Sequence, residues 1–230
     1  MLRAVLFDFN GTLVDDEPIH FELFARVLAE EGVALSADEY YRSYLALDDR
    51  GCFAAALKAG GSPAEPTRLE RLVARKASYY RERIRRDGYP FFAGALERVE
   101  ELAAAGLALG VVSGALKEEV EGALEKAGLL ARFKVLVTAE DVAAGKPDPQ
   151  GYRCALEALN GEPPLPARLF HPHEVLAIED SPAGLAAARA AGLATLGVAH
   201  TYPAAELAAA DFVLERLADL RPPDLLARFA

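Results

Sequence analysis

The sequence predicts an α/β protein: a doubly wound, mainly parallel sheet of Rossmann type, with an all-helical domain inserted after the first strand. Short apolar runs recur along the chain and end in polar or charged residues. Ala-, Leu- and Glu-rich segments of helical period separate them, the alternation that builds βαβ units. One long stretch near the N-terminus, in contrast, contains no strand-like run at all.

The first run, residues 3–9, reads Arg-Ala-Val-Leu-Phe-Asp-Phe. Near-continuous apolarity of this kind suits a central parallel strand covered on both faces. Residues 15–88 then break the rhythm, with helical patterns at about 17–31, 37–46, 51–60 and 65–87 and a loop at Gly60-Gly61-Ser62-Pro63. Strand patterns return at 107–112, 135–138 and 175–178, with weaker ones at 193–198 and 212–214. Helical patterns lie between them at about 92–105, 115–127, 149–160 and 182–191, and a terminal helix follows Pro222-Pro223. The expected domains are an α/β core of residues 1–14 and 89–230 and a helical cap of residues 15–88.

The 230 residues are ample for a sizeable core. A formal net charge of −10 argues against a nucleic-acid or anionic-membrane surface, which needs positive patches. No segment approaches the roughly 18–20 uninterrupted apolar residues of a membrane span, and the N-terminal apolar run is too short for a signal peptide. The two cysteines, Cys52 and Cys154, stand far apart in no CxxC pairing, so a reducing, cytoplasmic setting is expected, with the chain a monomer or weak dimer. Only two asparagines and one glutamine occur, a bias that fits a thermophile, although a GC-rich genome gives a similar one.

Ligands of open α/β sheets bind at the carboxyl ends of the strands. The first strand ends in Asp8-Phe9-Asn10-Gly11-Thr12, the second in Ser113-Gly114 and the fourth in Glu179-Asp180-Ser181; Gly145-Lys146-Pro147-Asp148-Pro149 follows the third. Together these make a phosphoryl-transfer set. Asp8 could attack phosphorus and form an aspartyl-phosphate. Mg²⁺ takes one or two carboxylates plus phosphate oxygens and waters, so Asp8 and Asp180 could hold it, with Glu179 assisting. Ser113 and the amides that follow, from Gly114, could hold phosphoryl oxygens at a helix N-terminus, and Lys146 could neutralise the developing charge. Ser113 alone would be a helix cap, Lys146 alone a surface lysine, and Glu179-Asp180 could cap the helix beginning near Pro182. His171-Pro172-His173 precedes a strand, at the wrong end of the sheet, and reads as a solvated loop.

The four segments, in this order and spacing, resemble the four motifs of the haloacid dehalogenase superfamily. A helical insert after the first motif resembles its phosphoglycolate phosphatase and β-phosphoglucomutase branch. The resemblance implies Asp8 as nucleophile and a Mg²⁺ site of Asp8, the Asn10 backbone carbonyl and Asp180, with Glu179 in or just outside it. It also implies that Thr12, Ser113, Gly114 and Lys146 bind phosphate. His20, near the entry to the cap, would face the substrate or organise the hinge. Arg50, between two cap helices, would read the substrate or be a surface arginine. The substrate implied is a small phosphorylated metabolite.

One position departs from the pattern. Most phosphatases of the superfamily carry, two residues after the nucleophile, an aspartate that protonates the leaving group and then activates water. Here Asn10 stands there and can do neither. The resemblance thus leaves a slow phosphatase, a phosphometabolite-binding protein, and dehalogenase or phosphonatase chemistry, the last needing a cap lysine, of which the sequence offers Lys58 and Lys76.

Overall fold

The computed structural model describes residues 1–45 and 47–229. Within it the chain divides into two compact units, Met1–Asp15 with Pro90–Ala230, and Asp16–Tyr89.

The first unit is built on a six-stranded sheet of order β3-β2-β1-β4-β5-β6, comprising β1 (Ala4–Phe7), β2 (Ala108–Val112), β3 (Phe133–Val137), β4 (Val175–Glu179), β5 (Ala194–Val198) and β6 (Phe212–Leu214). Every pairing is parallel. This is the doubly wound α/β class the sequence predicts. Every residue of β1 and β4 is buried, which explains their unbroken apolar character. Five helices accompany these strands: α5 (Ala95–Ala104), α6 (Lys117–Lys126), α7 (Gln150–Gly161), α8 (Pro182–Ala190) and α9 (Pro222–Arg228). Tyr152, Ala155 and Leu159 of α7 and Ala187 and Ala188 of α8 close one core with Leu6, Val135 and Ala177 of the sheet. The chain reverses direction across β1, with β2 on one side and β4 on the other. That is the switch point where the carboxyl ends of three strands open a crevice.

The second unit has its own core. Helices α1 (Glu17–Glu30), α2 (Ala37–Ser43), α3 (Asp49–Ala59) and α4 (Pro66–Asp87) pack Phe24, Val27, Leu28, Phe53, Leu57 and Leu72 together. The end of α4 is set by Gly88 at φ 82°, a conformation glycine adopts without strain. No described helix is long and apolar enough to cross a membrane.

Several boundaries differ from the sequence reading. β1 stops at Phe7, so Asp8 lies just beyond the strand. Helix α2 ends at Ser43 rather than 46, and position 46 lies outside the described residues. Helix α3 starts earlier than expected because the Asp48 side chain accepts from the Gly51 N–H (2.7 Å) and caps it. Arg50 therefore sits in the first turn of α3, not between helices. Helix α6 begins only at Lys117, so Ser113 is not at its N-terminus. The cap of α8 is Ser181, not Glu179 or Asp180: its hydroxyl accepts from the Gly184 N–H at 3.1 Å. His171 and His173 are exposed, the first capping and the second within a short 3₁₀ turn, Pro172–Glu174, ahead of β4.

Candidate active site

The strand ends after β1, β2 and β4 deliver the site. Beyond Phe7 the backbone folds into a tight turn: Leu13 and Val14 donate to the Phe9 carbonyl (2.9 and 3.0 Å), and Gly11 donates to the Val14 carbonyl (2.8 Å). Gly11 has φ +79°, and a β-carbon there would collide with the Asp180 carboxylate. Only glycine meets both demands.

Asp8, Glu179 and Asp180 are all buried and offer oxygens within 4.8 Å of one another. Lys146 enters from the loop before α7. Its ammonium ion-pairs with Asp8, reaches Glu179 Oε1 at 2.6 Å and donates to the Val112 carbonyl at 3.0 Å. Tyr152, in the first turns of α7, donates its hydroxyl to Glu179 Oε1 at 2.5 Å, and the Ser181 hydroxyl lies 3.3 Å from Glu179 Oε2. Of the residues the sequence singled out, the structure thus brings Asp8, Lys146, Glu179 and Asp180 to one place. Ser113 and Gly114 line, with Lys146, Asp148 and Tyr152, a cavity of about 470 Å³ beside it. The Ser113 hydroxyl accepts from the Ala115 N–H (3.0 Å) and keeps its own proton to donate. Thr12 is fully buried, and its hydroxyl has no hydrogen-bond partner among the described residues.

Three carboxylates here face one ammonium, and the electrostatics register the imbalance. Burial, followed by the Glu179 charge and against the pull of Lys146, pushes Asp8 up to about 7. Asp180 is raised well above the carboxylate range by burial and then by its two acidic neighbours. Burial works against the Lys146 ammonium, but Asp8 and Glu179 more than offset it, and the net shift is upward. A buried acidic cluster short of positive charge suits a hard divalent cation with oxygen ligands.

The packing around Glu179 is as tight as that around Asp180. A β-carbon on Gly184 would collide with the Glu179 carboxyl. Gly184→Ala is therefore expected to destabilise the protein by about 1–3 kcal/mol and to loosen the Tyr152–Glu179 contact. Denaturant melts of the metal-free protein would read this, and an unchanged midpoint would contradict it.

His20 and Arg50 belong to the helical unit. His20 Nε2 lies 3.2 Å from Asp16 Oδ2, its Nδ1 accepts from Lys76 Nζ at 2.6 Å, and its ring stacks on Tyr80. Lys76 is itself buried, 2.5 Å from Asp49 Oδ1 and 4.1 Å above the Phe24 ring. Arg50 is exposed and lies 3.9 Å from Glu70. The sequence reading missed Tyr152 and Gly184, which contact Glu179, and His200 and Thr201, which lie against Gly11, His200 Nδ1 being 3.0 Å from its carbonyl oxygen. Tyr152 alone carried a signal, six residues after Lys146 on the next helix; the others show no spacing that marks them.

The sequence matches the haloacid dehalogenase-like hydrolase family over residues 5–198. It is 34% identical over 230 residues to validoxylamine A 7′-phosphate phosphatase from Streptomyces hygroscopicus subsp. limoneus, spanning 98% of this chain and 99% of that protein. It is 30% identical to protein CbbY from Rhodobacter capsulatus, spanning 98% of this chain and 95% of the relative. Among solved structures, CbbY from Rhodobacter sphaeroides in complex with phosphate superposes with a TM-score of 0.78 at 26% identity, covering 96% of each chain.

Proposed function

We propose that this chain, which belongs to the haloacid dehalogenase-like hydrolase family, is a cytoplasmic, Mg²⁺-dependent phosphatase of a small phosphorylated metabolite, acting through an aspartyl-phosphate on Asp8. The observation that carries the reading is the buried cluster of Asp8, Glu179 and Asp180 answered by a single lysine at the carboxyl edge of the sheet. The phosphatase relatives support it, as does the phosphate bound by the structural relative. Two free thiols accord with the compartment.

In this reading Asp8, Asp180 and the Asn10 carbonyl would hold the cation, with Glu179 steadying it from beside them, and the ion would supply positive charge to the phosphoryl oxygens and the nucleophile. Asp8 attacks phosphorus and the bond to the ester oxygen breaks, leaving the phosphoryl group on its carboxylate. Lys146 balances charge on Asp8, and the Ser113 hydroxyl and Gly114 amide donate to phosphoryl oxygens. Water then attacks phosphorus, freeing phosphate and restoring Asp8. Asn10 neither gives a proton to the departing oxygen nor takes one from the water. Poor leaving groups therefore react slowly and the acyl phosphate persists.

That same residue favours one second reading, a protein that binds phosphorylated metabolites without turning them over. Rapid acid quench with a ³²P-labelled substrate separates the two. Label on Asp8 supports the enzyme, and saturable binding with no label supports the binder.

Turnover of an activated aryl phosphate is expected to need Mg²⁺ and to vanish in chelator. Asp180→Ala is expected to weaken Mg²⁺ binding sharply by removing a carboxylate ligand, as read by titration calorimetry. Full activity in chelator would overturn the metal assignment.

A further inference from the structure

We propose that His200 is a positioning residue for the candidate metal site: it fixes the Gly11 carbonyl and so holds the Asn10–Gly11 turn against Asp180. The proposal rests on reading Asp8, Asp180 and the Asn10 carbonyl as Mg²⁺ ligands.

His200 lies two residues past the end of β5 and is held from three directions. Its Nε2 accepts from the Leu217 N–H at 3.1 Å, and its Nδ1 lies 3.0 Å from the Gly11 carbonyl oxygen. A backbone N–H can only donate and a carbonyl can only accept, so the ring is the neutral tautomer with its proton on Nδ1. The flat of the ring stacks on Phe92, centroids 3.9 Å apart. Phe92 in turn donates its N–H to the Leu13 carbonyl (2.9 Å), on the same turn as Gly11.

What the ring fixes is a glycine at positive φ that packs directly against the Asp180 carboxylate. The Gly11 N–H points at Val14, and peptide planarity sends the Asn10 carbonyl the opposite way. His200 secures the next peptide group through its oxygen. The following residue completes the arrangement: Thr201 hydrogen-bonds the Asp180 side chain, and its Oγ1 would lie 2.8 Å from a β-carbon on Gly11. Two adjacent residues at one strand end thus grip the turn that bears the carbonyl ligand and the carboxylate ligand beside it. Mg²⁺ demands near-ideal octahedral placement of its oxygens, and residues that orient ligands from outside the coordination sphere are typically worth about 10–100-fold in metal affinity.

The ring's parts can be removed separately. His200→Asn places an amide donor where Nδ1 stands and drops the stack and the Leu217 acceptor. His200→Gln places an amide where Nε2 stands and drops the Gly11 donor. His200→Phe keeps the stack alone. Mg²⁺ affinity of the full chain, read by calorimetry, and Mn²⁺ binding, read by electron paramagnetic resonance, are expected to fall about 10–100-fold in the Gln and Phe variants. The Asn variant should stay close to wild type, even though all three lose thermal stability. Affinity that falls in step with melting temperature in all three, or that stays at the wild-type level in all three, overturns the proposal. Should the Phe variant fail to fold, the Asn–Gln pair decides it. Asp180→Ala serves as the control. If that variant loses Mg²⁺ and the Gln variant does not, the inference alone fails. If it binds Mg²⁺ like wild type, the site reading fails and takes the inference with it.

Discussion

Replacing Asn10 with aspartate is expected to raise turnover of a phosphate monoester by about 10²–10⁴, the usual worth of a positioned general acid–base. The two side chains are nearly isosteric, and the turn that carries position 10 is fixed by its backbone: Gly11 donates to Val14, and Leu13 and Val14 both donate to Phe9. The exchange should therefore leave the turn in place and add only proton chemistry. Both half-reactions gain. The leaving oxygen receives a proton as its bond to phosphorus breaks, and the carboxylate formed then takes one from the attacking water. Quench-flow should show a shorter-lived phosphoenzyme as well as faster turnover. The gain should be largest for alkyl phosphates and smallest for acyl or nitrophenyl phosphates, whose leaving groups need no proton. A variant that remains inert on all of them, with Asp8 unlabelled, would favour the binding protein. Asn10 precedes a glycine, the pair most prone to deamidation, so the comparison needs wild-type protein shown by peptide mass spectrometry to retain Asn10. Ring closure needs a mobile glycine amide, and that of Gly11 is committed to Val14; Asn10 is expected to survive ageing intact.

How much of this was legible before the fold was known follows from the physics of each part. Buried parallel strands must be apolar along their whole length, so a charged residue at the end of such a run stands out. Asp8 and the Glu179-Asp180 pair were visible for that reason, and Lys146 followed from its place after the third strand. Helix ends were less visible because they depend on individual caps: Asp48 advances α3 and absorbs Arg50 into its first turn, while Ser181 takes the capping role that the acids before it could have filled. His200 and Thr201 were invisible. They meet Gly11 across 189 residues of sequence, in the case of His200, through contacts that only the order of the sheet creates. Lys76 was visible as one of the two cap lysines and lies on the stripe of Leu69, Leu72, Tyr80 and Ile84 along α4, but its partners Asp49 and His20 come from other helices that only the fold brings to it.

Asp8→Asn is expected to move activity and stability in opposite directions. Activity should fall by about 10⁴–10⁶, the scale on which removing a nucleophile acts, with no acid-stable label on the protein, since an amide does not attack phosphorus. Stability of the metal-free protein should rise. Asp8 ordinarily ionises near 3.8 and in this fold is raised to about 7, chiefly by burial. A carboxyl with a raised folded pKa binds its proton more tightly folded than unfolded, so ionising it costs folding free energy. That cost is absent below about 4, develops as the pH rises towards 7 and is complete above it. The amide never ionises and escapes it, while Lys146 keeps its 2.6 Å partner Glu179. In chelator at pH 8 the variant is expected to gain on the order of 4 kcal/mol over wild type, and at pH 4 to gain almost nothing. Mg²⁺ should narrow the gap by stabilising the wild type alone, which retains all the carboxylates that would bind it. Denaturant titrations at the two pH values, with and without Mg²⁺, give the comparison. A variant no more stable than wild type at pH 8 without metal would mean that Lys146 already compensates the Asp8 charge in full, and that the cluster has no excess charge for a cation to answer.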